Sequence, residues 1–502
     1  MYGTRRKPQR AGQVGVFLTA LFIAVAIGLF AGLGGETYAA ALLMVTVIVG
    51  GIAWDYRFGV WALLALMPLS GTHLIPREMF GVTGLNPMNL VLLTTLLGYV
   101  VNHRKNFGVA GAPAMDRRLL AIYLATVICA GLNGMRFASS VPAEFIELQV
   151  ADFDGPLSYL AVVVIRPLFY VLYAWLVAAA ARDSRKPELL MWPLMVGVLL
   201  LCAAIFLGIA LSGMSLEALS NPRARTTLSW IGLHNNDLAP MTAGAVAVCL
   251  YAQARQTLGL KLALWITAFI AGVATLLTFS RMGFLGLAVV LGGYFFGVGR
   301  LGPRLAMGIV GAALAVVFLP REFLDRALTG IHTGITANAN EDALSAGRVT
   351  GIWLPAILDF AKHPVNWVVG GGLESLLWSP VAFNEESGDY FPHPHNGYLR
   401  ALLDTGIIGL TLLLVFWIGT FRMCRRLSVH PGLSEPARSL CRAASWVLVV
   451  LGVQCLTGGA LTPLHSQVFV WCAIGLAFGL NAKVTAVDQP RPARRRTLQP
   501  AR

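Results

Sequence analysis

The chain of 502 residues is 57% hydrophobic and 12% charged, with a formal net charge of +14 and a mean hydropathy of +0.70. Apolar runs of membrane-spanning length recur from end to end, which excludes a water-soluble enzyme and defines an all-α polytopic integral membrane protein. The positive charge sits in alternate loops and a short basic tail, so it does not mark a nucleic-acid-binding surface.

The first apolar run follows Arg5, Arg6, Lys7 and Arg10, lacks a convincing cleavage site and reads as a first span rather than a removed signal. Spans are predicted at 14–33, 37–54, 58–70, 86–101, 118–136, 158–181, 188–211, 236–252, 262–279, 283–299, 305–319, 397–421, 442–460 and 465–481. The shortness of 58–70 and the tight turns within 14–54 and 262–299 set the expected range at 12–14 helices. Lys and Arg accumulate in the loops that are cytoplasmic when the N-terminus is inside, which places both termini in the cytoplasm. The predicted organisation is N-terminal transmembrane helices over 1–319, an outer loop region over 320–396, C-terminal transmembrane helices over 397–481 and a basic tail over 482–502. Arg491, Arg494, Arg495 and Arg496 in that tail suit anionic lipid. The seven cysteines lie in spans or on the inner side, so no disulfide framework is implied.

Three outer segments are long enough to carry chemistry. Residues 137–157 are acidic, and Asp152-Phe153-Asp154 has the form of a short metal motif. Such triplets arise often by chance, and a solvated acidic loop is the simpler reading. Residues 212–235 hold Arg223 and Arg225 and run into His234-Asn235-Asn236. In 320–396, an amphipathic helix is predicted over 345–362, capped by Ser345, with Val349, Ile352, Trp353, Ala356, Ile357 and Phe360 at helical spacing. Its apolar face suits the bilayer surface or the roof of a cavity. Gly370-Gly371-Gly372 reads as a turn, because no Lys-Ser/Thr follows to make a nucleotide loop.

Arg281 follows Thr278-Phe279-Ser280 at the outer end of a span, on the wrong side for the positive-inside bias. Arg348 falls in the first turn of the amphipathic helix, where the helix dipole disfavours a cation. Two guanidinium groups can clamp a pyrophosphate and stabilise charge on a leaving group; a snorkelling or ion-paired arginine is the plainer account. Arg223, Arg225, Arg326 and Arg400 face the same side. Arg166 lies inside a span next to Pro167, where charge is costly and needs either a function or a partner acid. Arg400 and Asp404, four apart on one helix, are expected to pair, on the helix face opposite His395 and away from the chemistry.

His393-Pro394-His395-Asn396-Gly397 then leads into a long apolar helix. Pro392 and Pro394 suit a first helical turn, which puts His395 at the helix N-terminus at the mouth of a span. A period of 3.6 returns Gly406 and Gly409 to the face of His395, so that face is expected to pack against protein. The dipole favours a neutral imidazole, which suits a general base; a helix cap or a headgroup ligand fits the same residues equally.

His395-Asn396, nine residues, then Gly406-x-x-Gly409 resembles the signature of the O-antigen ligases, within a superfamily of polytopic membrane glycosyltransferases. Ser280-Arg281, Gly347-Arg348 with Trp353 and His363-Pro364, and Arg225 followed by Asn235-Asn236-x-Leu238-Ala239 resemble its other elements, in order, across roughly residues 220–410. The resemblance implies a fold related to C-type glycosyltransferases in the bacterial inner membrane, with a periplasmic active site. The implied donor is a polysaccharide on undecaprenyl pyrophosphate, and the implied acceptor is a sugar hydroxyl of lipid A–core. It further implies inversion at the anomeric carbon and no metal or other cofactor. The family's essential residues would fall on His395 as base and on Arg281 and Arg348 at the pyrophosphate. Arg223, Arg225, Asn236, Arg166, His393 and Asn396 would serve substrate binding. An O-antigen polymerase and a protein O-oligosaccharyltransferase are the alternatives with a different acceptor. A lipid-linked sugar flippase would need polar residues through the bilayer on several spans, where Arg166 is the clear instance.

Overall fold

The computed structural model describes residues 48–76, 78–79, 82–83, 86–105, 115–147, 151–215, 218–219, 228, 231–296, 348–384, 389–463 and 465–488. Eleven of the fourteen predicted spans are helical there; 14–33, most of 37–54 and 305–319 lie outside the described residues. The helices used below are α1 (Tyr56–Leu66), α2 (Pro87–Lys105), α3 (Arg117–Met135), α4 (Arg166–Asp183), α5 (Met191–Ser212), α6 (Asn235–Ala252), α7 (Leu258–Leu277) and α8 (Arg281–Phe296). They continue with α9 (Leu354–Ala361), α10 (Pro364–Val369), α11 (Gly397–Leu427), α12 (Glu435–Gln454) and α13 (Val468–Asp488). Among the described residues, seven helices are long and apolar enough to cross a membrane, so the protein is a polytopic helical membrane protein. Strand is limited there to two hairpins of two-residue strands, Glu78–Met79 with Val82–Thr83 and Phe383–Asn384 with Asp389–Tyr390.

Small residues let the central helices approach. A Cβ on Gly475 of α13 would lie 2.6 Å from the Ala174 carbonyl of α4, and Gly479 meets the Ala178 carbonyl in the same way. α6 is almost wholly buried, and its Ala- and Gly-rich sequence packs among α7, α8, α12 and α13. Tyr123 of α3, Phe416 of α11 and Trp471 of α13 form an aromatic centre, with ring centroids 4.9 and 5.3 Å from Tyr123. The indole N–H groups of Trp417 and Trp471 donate to the carbonyls of Leu461 and Pro463 at 2.9 and 2.8 Å. The aromatic centre thereby fixes the turn between α12 and α13.

That turn is longer than hydropathy indicated. The predicted span 442–460 is helical only to Gln454, and residues 455–463 leave the helix. The amphipathic segment is helical as predicted from Arg348, the first residue described there; Ser345 lies outside the described residues. It opens with a π-turn, Val349–Trp353, just before Pro355. Proline lacks an N–H and crowds the carbonyl four residues back, which widens the preceding turn; the π-turn Leu160–Ile165 stands in the same way before Pro167. Ile352, Ala356 and Phe360 are buried against Leu376 and Leu403. Leu354 and Leu358 remain exposed.

α11 is not one straight helix. Gly406 has φ 64° and ψ −174°, outside helical space. The carbonyls of Leu403 and Asp404, released by this break, accept the N–H groups of Gly371 and Gly372 at 2.8 and 3.0 Å. Large exposed apolar side chains appear on α11 only beyond the break, beginning with Ile407 and Ile408. Gly406→Ala forces a side chain into backbone space reserved for glycine, at about 1–3 kcal/mol, and its Cβ would meet the Val368 carbonyl and, at 2.6 Å, the Gly370 nitrogen. The variant is expected to melt well below wild type in detergent. Gly272→Ala, whose Cβ meets nothing within 4 Å, should melt at or above wild type; equal melting of the two variants would refute this account of the break.

Candidate active site

The histidine segment is built from the helix end outward. Asn396, with φ −148° and ψ 113°, is the N-cap of α11, and its side chain accepts the N–H groups of Tyr398 and Leu399 at 3.0 and 3.1 Å. Gly397 opens the helix, and its N–H donates to the Cys455 carbonyl at 2.7 Å. His395 therefore precedes the helix, in a left-handed conformation with φ 53°, and Pro394 is two residues ahead of the cap. This corrects the expectation of a helical His395 sharing a face with Gly406 and Gly409. Asn396 takes the capping role, and the break at Gly406 ends the helical period. Both glycines do pack against protein, Gly406 on Val368 and Gly409 on Thr126.

Both histidines are half-buried, and their ring centroids are 4.4 Å apart. Burial holds the His393 imidazole well below its usual range, and repulsion from His395, Arg400 and Arg348 acts in the same direction. The Trp353 indole donates to the Pro394 carbonyl at 2.6 Å, tying the π-turn to the histidine segment.

A short stretch, Cys455-Leu456-Thr457-Gly458-Gly459, gathers the remaining parts. Arg348 Nη1 donates to the Thr457 carbonyl at 3.3 Å. Met282, the neighbour of Arg281, lies beside Gly458. Arg281 begins α8 directly after a turn in which Phe279 has φ 49°. Two asparagines brace that turn: Asn235 Nδ2 donates to the Thr278 carbonyl at 3.2 Å, and Asn236 Oδ1 accepts from Ser280 Oγ at 2.9 Å. Asn236, predicted to bind substrate, is thus engaged with the residue before Arg281.

Beside this stretch is a cavity of about 460 Å³ whose lining includes Asp152, Arg166, Asp237, Glu374, His393, Arg400, Asp404, Gly458, Gly459 and Gln467. Of the predicted site residues, Arg166 and His393 line it. His395, Arg348 and the Asn236–Ser280–Arg281 turn connect to its margin through the contacts just given. Arg223, Arg225 and Arg326 lie outside the described residues. Arg166 has the partner acid that its depth called for, Asp152 at 3.7 Å. Asp154 instead accepts from Ser158 Oγ at 2.6 Å, so the two carboxylates of the triplet face different groups. Arg400 pairs with Asp404 at 3.6 Å and also with Glu374. It stands in the cavity wall rather than facing away from the histidines, as its helical position relative to a helical His395 had implied. A larger cavity, about 630 Å³, is lined by Asp183 and Arg185 at the opposite end of α4 and holds none of these residues.

Asp237, Glu374, Thr457 and Gln467 were not anticipated. The available signal was the Gly458-Gly459 pair followed by Gln467, between two apolar runs too short to need a loop there.

The described residues thus form a polytopic helical membrane protein with histidines, arginines and a polar cavity at one end of the bundle. Residues 266–414 match the family model described as O-antigen ligase, and that stretch contains Arg281, Arg348 and His395. That match supports a function of the O-antigen ligase/polymerase type for this stretch. No curated protein matches the chain.

The depressed His393 pKa makes stability depend on pH. The unfolded chain takes up a proton near pH ~6.5 that the folded protein resists. Stability is therefore fully present above that pH and falls as pH drops through it. Wild type is expected to lose melting temperature between about pH 7.5 and 5.5, and His393→Gln should lose less over the same interval. Parallel losses would show that His393 is not the group responsible.

Proposed function

We propose that the protein is an O-antigen ligase. It transfers a polysaccharide from undecaprenyl pyrophosphate to a sugar hydroxyl of lipid A–core, at the periplasmic face of the bacterial inner membrane. The supporting observation is the meeting of three elements of the matched stretch at residues 455–459: the Arg281 turn, the Arg348 π-turn and the His395 segment.

In this reading the acceptor oxygen attacks the anomeric carbon of the donor and its proton passes to His395. The bond from that carbon to the diphosphate oxygen breaks, and the electron pair leaves with the diphosphate. The configuration inverts because attack and departure lie on opposite faces. Arg281 and Arg348 stabilise the departing charge. The diphosphate supplies the driving force, so the reaction needs no nucleotide, and in this reading the two arginines take the charge-stabilising role. His393, held neutral beside His395, leaves the proton-accepting role to its neighbour without adding a second positive charge.

His395→Ala is expected to lose about 10²–10⁴-fold in transfer while still binding the lipid donor, because both arginines remain. Normal transfer, or donor binding lost as fully as in an Arg281 variant, would remove His395 as the base. Arg281→Lys and Arg348→Lys keep charge but lose the planar fork. Each should fall at least about tenfold, roughly 1.4 kcal/mol, in protein that is still inserted and folded; near-wild-type rates in both would sink the clamp. Lipopolysaccharide from a null strain tests the acceptor. Bare core with accumulated lipid-linked polymer is the expected result, whereas core bearing one repeat unit would make the protein a polymerase.

A further inference from the structure

Gln467 is 4% exposed, lines the cavity, and its Nε2 has no hydrogen-bond partner among the described residues. A buried amide without an acceptor is costly, so its N–H groups are placed to donate to a group that enters the cavity. The charges around it restrict what that is. Four carboxylates line the cavity, from Asp152, Asp237, Glu374 and Asp404, against the guanidinium groups of Arg166 and Arg400. Both guanidinium groups already face carboxylates, Arg166 at 3.7 Å from Asp152 and Arg400 at 3.6 Å from Asp404. A diphosphate would find no uncommitted cation here and would meet an excess of negative charge. A sugar ring suits the lining. Its hydroxyls both donate and accept, so one can donate to Asp237 while another accepts from Gln467. Val163, Leu373 and Pro392 in the same wall offer apolar surface to its C–H faces. The volume of about 460 Å³ lies within the usual range for small-molecule sites, about 300–1,000 Å³.

We infer that this cavity seats the neutral, hydroxyl-bearing acceptor sugar, held by Gln467 and Asp237 and turned toward the histidine pair, while the diphosphate stays at the arginine margin. The assignment of the sugar as acceptor rests on the transferase reading above.

The test uses full-length protein in detergent, with delipidated core oligosaccharide as the probe and no donor present. Gln467→Met keeps the size of the side chain and removes the amide. It should bind the oligosaccharide at least tenfold more weakly, bind the lipid-diphosphate donor as wild type does, and melt at or above the wild-type temperature without ligand. A structural glutamine would give the opposite melting result. Asp237→Asn should likewise weaken the oligosaccharide and spare the donor. The inference is overturned if wild type does not bind the oligosaccharide, if Gln467→Met binds it unchanged, if the variant weakens donor instead, or if its melting temperature falls. If wild type binds the oligosaccharide through Gln467 but transfers nothing to it, the sugar site stands and the ligase reading fails.

Discussion

The break in α11 at Gly406 is the constraint on which the histidine-bearing end of the protein depends. A helix interrupted within a membrane protein leaves carbonyls that hydrocarbon cannot satisfy. Here Gly371 and Gly372 satisfy two of them, and that docking carries further consequences. It holds the Gly370–Ser375 turn against α11, where the Asp404 carboxylate accepts both the N–H and the hydroxyl of Ser375 at 3.0 and 2.9 Å. The same turn is tied to α3, since Asn133 donates to the Gly370 carbonyl and Leu373 donates to the Ala130 carbonyl. Glu374 is thereby delivered to Arg400, and one wall of the cavity is complete. A backbone requirement at one glycine thus organises acids and bases many residues away.

The site divides electrostatically. The Arg281 turn and Arg348 converge on residues 455–459 from elements that contribute nothing to the cavity lining, whereas the lining itself carries more carboxylate than guanidinium. In the proposed reaction, one substrate is an anion at its reactive end and the other is a neutral alcohol. Separating the two environments keeps each substrate out of the other's place, because a diphosphate is repelled by the carboxylates and a neutral sugar gains little from an arginine margin. The histidine pair stands between them, linked to the margin through Trp353 and Pro394 and to the cavity through His393.

Most helices were legible in the sequence, because a span of apolar residues leaves few alternatives. Arg281 and Arg348 stood out as residues set against local preference and His395 as an imidazole at the mouth of a span, and the structure draws their segments to one place. The errors have local causes. Pro394 before His395 reads naturally as a first helical turn, but Asn396 outcompetes it, since its short side chain caps two N–H groups at once. Gly406 reads as a packing residue in an apolar helix, because nothing in a hydropathy pattern marks a positive φ. Residues 455–460 were absorbed into a span because Cys455, Leu456 and Ala460 are apolar enough to hide a turn. Gln467 was hidden likewise, one polar residue at the head of an apolar helix. The cavity was illegible for a more general reason: Asp237, Glu374 and Gln467 are far apart in sequence, and only the packing of α6, α11 and α13 brings them together.

The break also sets a height. Residues 407–427 at about 1.5 Å each run to roughly 31 Å, and their last turns carry Arg422, Arg425 and Arg426, which suit a polar boundary. The nine residues before the break add roughly 14 Å more. That arm carries none of the large exposed apolar side chains that begin at Ile407, so it offers little apolar surface to lipid. In the proposed reaction the donor is anchored in lipid, and its tether fixes how far its linkage stands from the tails. In that reaction the stretch 397–405 sets where His395 stands relative to the linkage. Inserting or removing one helical turn there would shift the imidazole by about 5.4 Å, more than a proton transfer can bridge, even with every side chain of the site unchanged. Its length is under as much constraint as its composition.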